Sequence, residues 1–142
     1  MNPTQETLGF LVAGVARQMR RAFQRRLTDP LLTLSQARAL VYVSRHEGVR
    51  QVELAVLLEV QPITLARLID QLANGDLVER RADSSDRRAY RIYLGPRARP
   101  QLAAINRISA AVQAEALQGL GTTEVALLFD ALRRMQDNLA KP

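Results

Sequence analysis

Helical periodicity runs through most of this 142-residue chain and gives way once, over residues 77–94. Within that stretch, 77–81 and 89–94 have the composition of β-strands, and the second alternates apolar and polar side chains. The polar residues between them are typical of a hairpin turn. The sequence therefore predicts a mainly α fold that contains one small β-hairpin.

Two short helices are predicted just before the hairpin, at about 51–58 and 62–73. Only three or four residues separate them, and Pro62 suits the first position of a helix, where a backbone N–H would lack a partner anyway. Another helix precedes this pair. Three helices followed by a hairpin, over residues 33–94, are the order of a winged helix-turn-helix, in which the last helix enters a DNA groove.

Capping residues give the expected ends of the inner helices. Thr33, with Gln36 three residues later, has the form of a capping box and opens the first of them. Gly48 suits the left-handed residue that follows a helix end, so we expect this helix to stop there. The next helix begins at Arg50 and Gln51, without a Ser or Thr cap, and we expect its start to be frayed.

Three longer amphipathic helices lie outside residues 33–94. The first is expected to end at Asp29 and Pro30, because a proline forces the preceding residue out of the helical region. The next begins at Gly95 and Pro96, read as a capping glycine and a first-position proline. Thr122 is expected to cap the last helix.

These flanking helices, in residues 1–32 and 95–142, have apolar stripes too regular for tails. A single chain would leave part of the stripes exposed, which indicates an interface with a second copy. The alternative is that they only complete the core of their own chain. Pro100 either bends its helix or is tolerated in the first turn. The residues expected at the dimer interface are Leu11, Val15, Leu128, Leu132 and Met135.

The chain has no cysteine and a single histidine, His46. Disulfides, thiolate zinc sites and thiol switches are therefore excluded, and a catalytic triad would depend on that one histidine. We expect no enzyme, no metal site and no cofactor. No apolar run reaches about 18 residues, so we also expect no membrane span and a cytoplasmic protein.

Positive charge is concentrated in the middle of the chain. The formal net charge is +6, and all but one of the twenty basic residues are arginine. Residues 80–99 hold seven arginines against two aspartates, whereas four basic and four acidic residues balance over 100–142. Arginine forks onto phosphate and guanine. A basic middle beside a neutral tail favours one face for nucleic acid.

The helix that begins at Pro62 carries polar residues suited to base contacts at its front. Glutamine can pair with an adenine edge, threonine with phosphate or a thymine methyl, and arginine with guanine. The alternative is the ordinary polar face of any surface helix. The candidate DNA-reading residues are Gln61, Ile63, Thr64 and Arg67.

The hairpin tip is the more specific signal. Arg87 and Arg88 lie where a hairpin could reach a narrow minor groove, whose negative potential attracts arginine. Asp83 and Asp86 would repel phosphate, so we expect them to hold an arginine by charge-assisted hydrogen bonds. A self-neutralising surface loop is the alternative.

Several motifs together resemble the MarR family of bacterial regulators. The Asp-Arg-Arg-Ala hairpin and the Gln-Pro start of the preceding helix are similar to the SlyA branch of that family. The resemblance covers essentially the whole chain, and the hairpin motif is its most specific part. The residues that carry it are Leu54-Ala55, Val60-Gln61-Pro62, 67–72, 75–80, 83–89 and 91–94.

The resemblance implies a homodimer on pseudo-palindromic duplex DNA, with the Pro62 helix in the major groove and a hairpin arginine in the minor groove. Arg67 falls on the family's recognition-helix arginine, and Arg87 with Arg88 on the wing pair. Asp86 matches the acidic residue that steadies them. The family's usual Leu-Thr after the wing is Leu94-Gly95 here.

The resemblance also implies small, often aromatic anions as effectors that bind between lobes. Arg17, Arg20 and Arg21 could pair with such an anion, and they could equally contact DNA phosphates or solvent. The alternative function is a winged-helix module that binds RNA or a protein partner through the same basic face. Duplex DNA is favoured because the helix and the hairpin together match groove geometry.

Overall fold

The structure, a computed structural model, describes residues 6–28 and 32–142. Six helices and three short strands occur in these residues, which confirms the mainly α fold with a small β-hairpin. Their bounds are α1 Leu8–Arg26, α2 Leu34–Arg45, β1 Val49–Arg50, α3 Gln51–Leu58, α4 Pro62–Asn74, β2 Val78–Ala82, β3 Tyr90–Leu94, α5 Ala98–Ala116 and α6 Thr122–Ala140.

The sheet has three antiparallel strands in the order β1-β3-β2. The hairpin of β2 and β3 was predicted, but β1 was not, because two residues are too few to show a strand period. Gly48 turns the chain into β1 with a φ of +87°, and its N–H donates to the Ile92 carbonyl at 2.8 Å. Val49 then pairs with Ile92, and Arg50 with Arg91.

One hydrophobic core joins α2, α3 and α4 to the sheet and to the start of α5. Burial of this apolar surface is the main force that holds the helices together. Ala98 and Ile105 bring α5 into the same core. Its largest fully buried side chains are Leu40, Leu54, Leu65, Ile69, Leu72 and Ile92.

The capping box at the start of α2 is confirmed. The Gln36 N–H donates to Thr33 Oγ1 at 3.1 Å, and the Thr33 N–H donates to Gln36 Oε1 at 2.9 Å. The helix ends at Arg45, earlier than predicted, and Gly48 lies in the turn that follows. The predicted end of α1 at Asp29 and Pro30 lies outside the described residues.

The fifth helix begins at Ala98, so the prediction of a start at Gly95 and Pro96 is wrong. The Gly95 N–H donates to the Leu77 carbonyl at 2.9 Å, and the Arg97 N–H donates to the Asp76 carbonyl at 3.0 Å. These bonds hold residues 95–97 in a turn. Pro100 is consequently the third residue of α5 and is tolerated in the first turn, one of its two predicted roles.

The last helix is capped by Gly121, whose N–H donates to Glu124 Oε1 at 3.1 Å, so the prediction of a Thr122 cap is wrong. None of the nineteen residues of α6 is buried. Across the part of the chain that the structure describes, no helix combines the length and the apolar character that a membrane span requires.

Candidate nucleic-acid interface

The helix α4 separates its apolar and polar faces clearly. Leu65, Ile69 and Leu72 point into the core. The four residues predicted to read DNA lie together on the exposed side, and even the apolar Ile63 is 67% exposed. Arg67 has no hydrogen-bond or ion-pair partner among residues 6–28 and 32–142. The exposed set is Gln61, Ile63, Thr64 and Arg67.

The turn between α3 and α4 is as tight as predicted. Glu59 adopts a left-handed conformation with a φ of 55°, and Pro62 is the first residue of α4. Leu54, Ala55 and Leu58 bury one side of α3. Val52, in the first turn of α3, is 62% exposed.

Arg80 of β2 binds both helices of the helix-turn-helix. Its Nε donates to Gln51 Oε1 at 2.9 Å on α3. On α4, Nη1 donates to Asp70 Oδ1 at 2.6 Å and Nη2 to the Ala66 carbonyl at 3.1 Å. The sequence placed Arg80 in the basic segment, but its guanidinium is paired with other residues of the chain.

The tip of the hairpin presents two unpaired arginines. Arg87 and Arg88 are exposed, and neither guanidinium has a partner within the described ranges. Asp86 Oδ1 accepts the Arg88 backbone N–H at 3.0 Å, and its carbonyl accepts the Ala89 N–H at 3.1 Å. Asp86 therefore shapes the turn, and the expectation that it holds an arginine side chain is wrong.

Of the two aspartates near the hairpin tip, Asp83 is the one that pairs with arginine side chains. Its own side chain is only 2% exposed. Oδ2 lies 2.9 Å from Arg50 Nε and 3.3 Å from Arg91 Nε, while Oδ1 accepts the Ser85 N–H at 3.0 Å and the Ser85 hydroxyl at 2.9 Å. The partners are thus strand arginines, and Arg87 and Arg88 stay free.

This ion pair also changes the account of how α3 starts. Arg50 precedes the helix and gives it no side-chain cap. The start is nevertheless held, because Arg50 pairs with Arg91 in the sheet and with Asp83 through its side chain. The expectation of a frayed start is therefore wrong.

Fewer arginines face solvent than the net charge of residues 80–99 indicates. Arg80 and Arg91 bind partners inside the fold. Arg81 pairs with Glu79 at 3.2 Å and lies 3.9 Å from the centre of the Tyr93 ring. On the hairpin itself, the positive charge free to meet a phosphate or a base is therefore at Arg87 and Arg88, while Arg97 and Arg99 are exposed at the start of α5.

A mostly apolar cavity of about 250 Å³ lies between α1, α2 and α5. Of the three arginines predicted to meet an anion, Arg20 lines this cavity, whereas Arg17 and Arg21 line neighbouring grooves. Arg38 and Tyr42 also line it, and sequence reasoning missed both, because α2 shows only its core stripe. The other lining residues are Met19, Phe23, Leu34, Ala37, Val41, Ile105, Ser109 and Val112.

The flanking helices leave their predicted contact residues uncovered. Leu11 and Val15 on α1 are exposed, as are Leu128 and Leu132 on α6. Met135 is half-buried. The structure contains one chain, so these positions stay a prediction of where a second copy packs.

The hydrogen bonds from Ser85, together with Arg50 and Arg91, hold the pKa of Asp83 below its ordinary value of 3.8. A carboxylate with a lowered folded-state pKa stabilises the fold fully above its ordinary pKa and loses that contribution as pH falls through the lowered pKa. We expect Asp83→Asn to lower the free energy of unfolding at pH 7, and the difference from wild type to shrink below about pH 4. Urea unfolding at both pH values measures it, and a difference that grows in acid would contradict the pairing.

The chain is similar to known transcription regulators in sequence and in fold. The MarR family model matches residues 32–90. The transcriptional regulator PA3341 is 37% identical, with 94% of this chain and 98% of that chain covered and a TM-score of 0.79. MarR from E. coli, in its apo form, is 24% identical over 92% of this chain and 96% of its own, with a TM-score of 0.80.

The fold is also that of BpsR from Bordetella bronchiseptica, a protein whose DNA binding is regulated by 6-hydroxynicotinic acid. The two are 21% identical, with 92% of this chain and 99% of that chain covered and a TM-score of 0.76. The similarity to the SlyA branch stays a prediction. The family match over residues 32–90, which include α2, α3, α4, β2 and the hairpin tip, and the 37% identity to PA3341 along nearly the whole chain show that the chain belongs to the MarR family of transcription regulators.

Proposed function

We propose that the protein is a homodimeric transcription regulator that binds pseudo-palindromic duplex DNA sequence-specifically in the cytoplasm. The observation that carries this proposal is the placement of unpaired side chains on two elements fixed to each other. Arg67 lies on α4, Arg87 and Arg88 lie on the hairpin, and Arg80 joins the two elements through hydrogen bonds to Asp70 and the Ala66 carbonyl.

The exposed front of α4 fits the major groove. That groove is roughly 12 Å wide and admits one helix, whose side chains read base edges. Gln61, Thr64 and Arg67 supply donors and acceptors, and the exposed Ile63 supplies an apolar surface for a thymine methyl.

The hairpin fits the adjacent minor groove. A narrow minor groove has enhanced negative potential, and an arginine inserted into it reads groove shape. Arg87 and Arg88 meet the electrostatic requirement, because no carboxylate of the described residues neutralises them.

Substitution of the arginines separates base reading from shape reading. We expect Arg67→Ala to weaken binding by about 1–3 kcal/mol on its best sites and to relax specificity at one position of each half-site. Arg87→Ala and Arg88→Ala are expected to weaken chiefly the sites with A/T-rich minor grooves. Affinity is measured on duplexes enriched from a random-sequence pool, with Arg134→Ala on α6 as the control that removes one exposed arginine elsewhere.

Unchanged affinity and unchanged sequence preference in both hairpin variants would contradict the minor-groove assignment. A structured RNA, tested at the same salt concentrations, covers the alternative function. If the protein preferred that RNA to every enriched duplex, a winged-helix module for RNA would replace the DNA-binding proposal.

The homodimer is supported by the unburied state of α6. A 19-residue amphipathic helix without one buried residue gains little from packing on its own chain, and exposed apolar stripes are usually covered by a partner. In a two-fold dimer the stripes of α1 and α6 would cover each other, and two α4 helices would lie about 34 Å apart, one turn of DNA.

Solution mass tests the dimer. At micromolar concentration we expect twice the chain mass of 15.8 kDa by sedimentation. Leu128→Glu combined with Leu132→Glu is expected to shift the protein to monomer, because two buried charges without partners destabilise an interface. Gln136→Glu adds charge to the exposed part of α6 as the control. A wild-type monomer at this concentration would refute the proposed dimer.

A small aromatic anion is the effector class that the cavity fits best. Its volume of about 250 Å³ lies below the roughly 300–1,000 Å³ typical of drug-sized sites. The walls are mostly apolar, Tyr42 offers an aromatic ring, and Arg20 and Arg38 offer positive charge for a carboxylate. The cavity lies between α1 and α5 on one side and α2 on the other. An occupant would therefore contact both the flanking helices and the first helix of residues 33–94.

Calorimetry with 6-hydroxynicotinate, salicylate and the neutral salicylamide tests this effector class. We expect the carboxylates to bind and the amide to bind at least about fivefold more weakly, because a charge-assisted hydrogen bond is lost. Arg20→Gln should weaken carboxylate binding, whereas Arg17→Gln, which changes an arginine outside the cavity, should not. Equal binding of the carboxylates and the amide would contradict the proposed anion site.

A further inference from the structure

Asp83 occupies an unusual position for a residue of a hairpin tip. It directly follows β2, in a polar segment, yet its side chain is 2% exposed. Its two arginine partners come from different strands: Arg50 ends β1, immediately before α3, and Arg91 lies opposite Arg50 in β3. The carboxylate therefore lies where the hairpin tip, the sheet and the start of α3 meet.

The surroundings of this carboxylate offset its charge, although Oδ2 accepts no hydrogen bond from the described residues. Taking a charge out of water is costly unless it is paired and hydrogen-bonded. Ser85 supplies two hydrogen bonds to Oδ1, and the two arginines flank Oδ2 at 2.9 and 3.3 Å. An ion pair of this kind fixes relative positions, because breaking it leaves an unpaired buried charge.

We propose that Asp83 is a positioning residue that ties the hairpin tip to the start of α3, so that the tip arginines and α4 meet DNA in one fixed arrangement. The proposal rests on the proposed DNA-binding function. Arg87 and Arg88 lie in the loop that Asp83 and Ala89 close, where the Asp83 N–H donates to the Ala89 carbonyl at 3.0 Å. The position of Asp83 therefore sets the base from which both arginines extend.

The Arg50 side chain pairs with Asp83 instead of capping α3. Its position is the N-cap of α3, yet it makes no side-chain cap. A threonine there would accept a hydrogen bond from the helix backbone, but it could not reach a carboxylate in the hairpin tip. The arginine gives up local capping and gains a link across the sheet, which is the feature that a positioning role requires.

Asp83 also keeps two arginines away from phosphate. The side chains of Arg50 and Arg91 are 35% and 39% exposed, so solvent reaches both. Without the carboxylate, each would add a positive charge to the surface near the hairpin, and added charge strengthens binding to any DNA sequence. Loss of Asp83 should therefore reduce discrimination between sequences and leave affinity for arbitrary DNA intact or higher.

The test uses the full chain and four variants. Asp83→Asn removes the charge, Arg50→Thr replaces the link with a helix cap, Arg50→Lys keeps a positive charge, and Glu79→Gln is the control. Glu79 pairs with Arg81 on the same sheet but is exposed. Amide hydrogen exchange without DNA is followed over residues 50–54 and 83–89. Affinity is measured for the best duplex enriched from a random pool and for a mixed-sequence duplex of equal length.

We expect faster exchange at residues 83–89 in Asp83→Asn and in Arg50→Thr, even though the threonine caps α3. The affinity ratio between the enriched and the mixed-sequence duplex should fall at least about fivefold in both, the size of losing one specific contact. Arg50→Lys should keep most of the ratio, and Glu79→Gln should match wild type.

Wild-type exchange at residues 83–89 in both Asp83→Asn and Arg50→Thr would overturn the proposal. So would an Arg50→Thr protein with unchanged discrimination, because the link between Arg50 and Asp83 would then not be needed to discriminate between sequences. Hydrogen exchange tests the link between Asp83 and Arg50 without DNA, so its result stands even if the wild-type protein binds no duplex. A wild-type protein that binds no duplex would refute the proposed function instead.

Discussion

The relative placement of α4 and the hairpin, the two elements of the proposed DNA-reading surface, depends on the guanidinium of Arg80. From β2 it donates three hydrogen bonds, to the Gln51 side chain, to Asp70 and to the Ala66 carbonyl, and so fixes the sheet against α3 and α4. Hydrogen bonds to charged groups contribute about 1.5–3 kcal/mol each to stability. α4 and β2 are also joined by the short turn between them, where the Leu77 N–H donates to the Leu72 carbonyl at 2.9 Å, and by the apolar core.

Much of the fold follows from local rules and was predictable. Thr33 and Gln36 form their capping box, and Pro62 starts α4, because each depends on residues within one turn. β1 was missed because it exists only through pairing with β3, more than 40 residues later. The start of α5 was misplaced because the backbone of Asp76 and Leu77, distant in sequence, holds Gly95 in a turn.

The candidate site divides in the same way. Side-chain type and helical phase put Arg67 on an exposed face, while its role at DNA stays a prediction. The prediction that Asp83 and Asp86 hold an arginine was half right. Asp83 does pair with arginines, but they are Arg50 and Arg91 of the strands. Sequence spacing does not reveal a contact between Arg50 and Asp83.

In the proposed complex, two copies of the chain related by two-fold symmetry each read DNA with α4 and the hairpin together. Hydroxyl-radical footprinting on a duplex enriched from a random pool tests it most directly. The account predicts two protected patches, centred about 10 base pairs apart on one face of the duplex and related by two-fold symmetry, each with an adjacent protected minor groove. A single protected patch, or protection that ignores the enriched sequence, would contradict it.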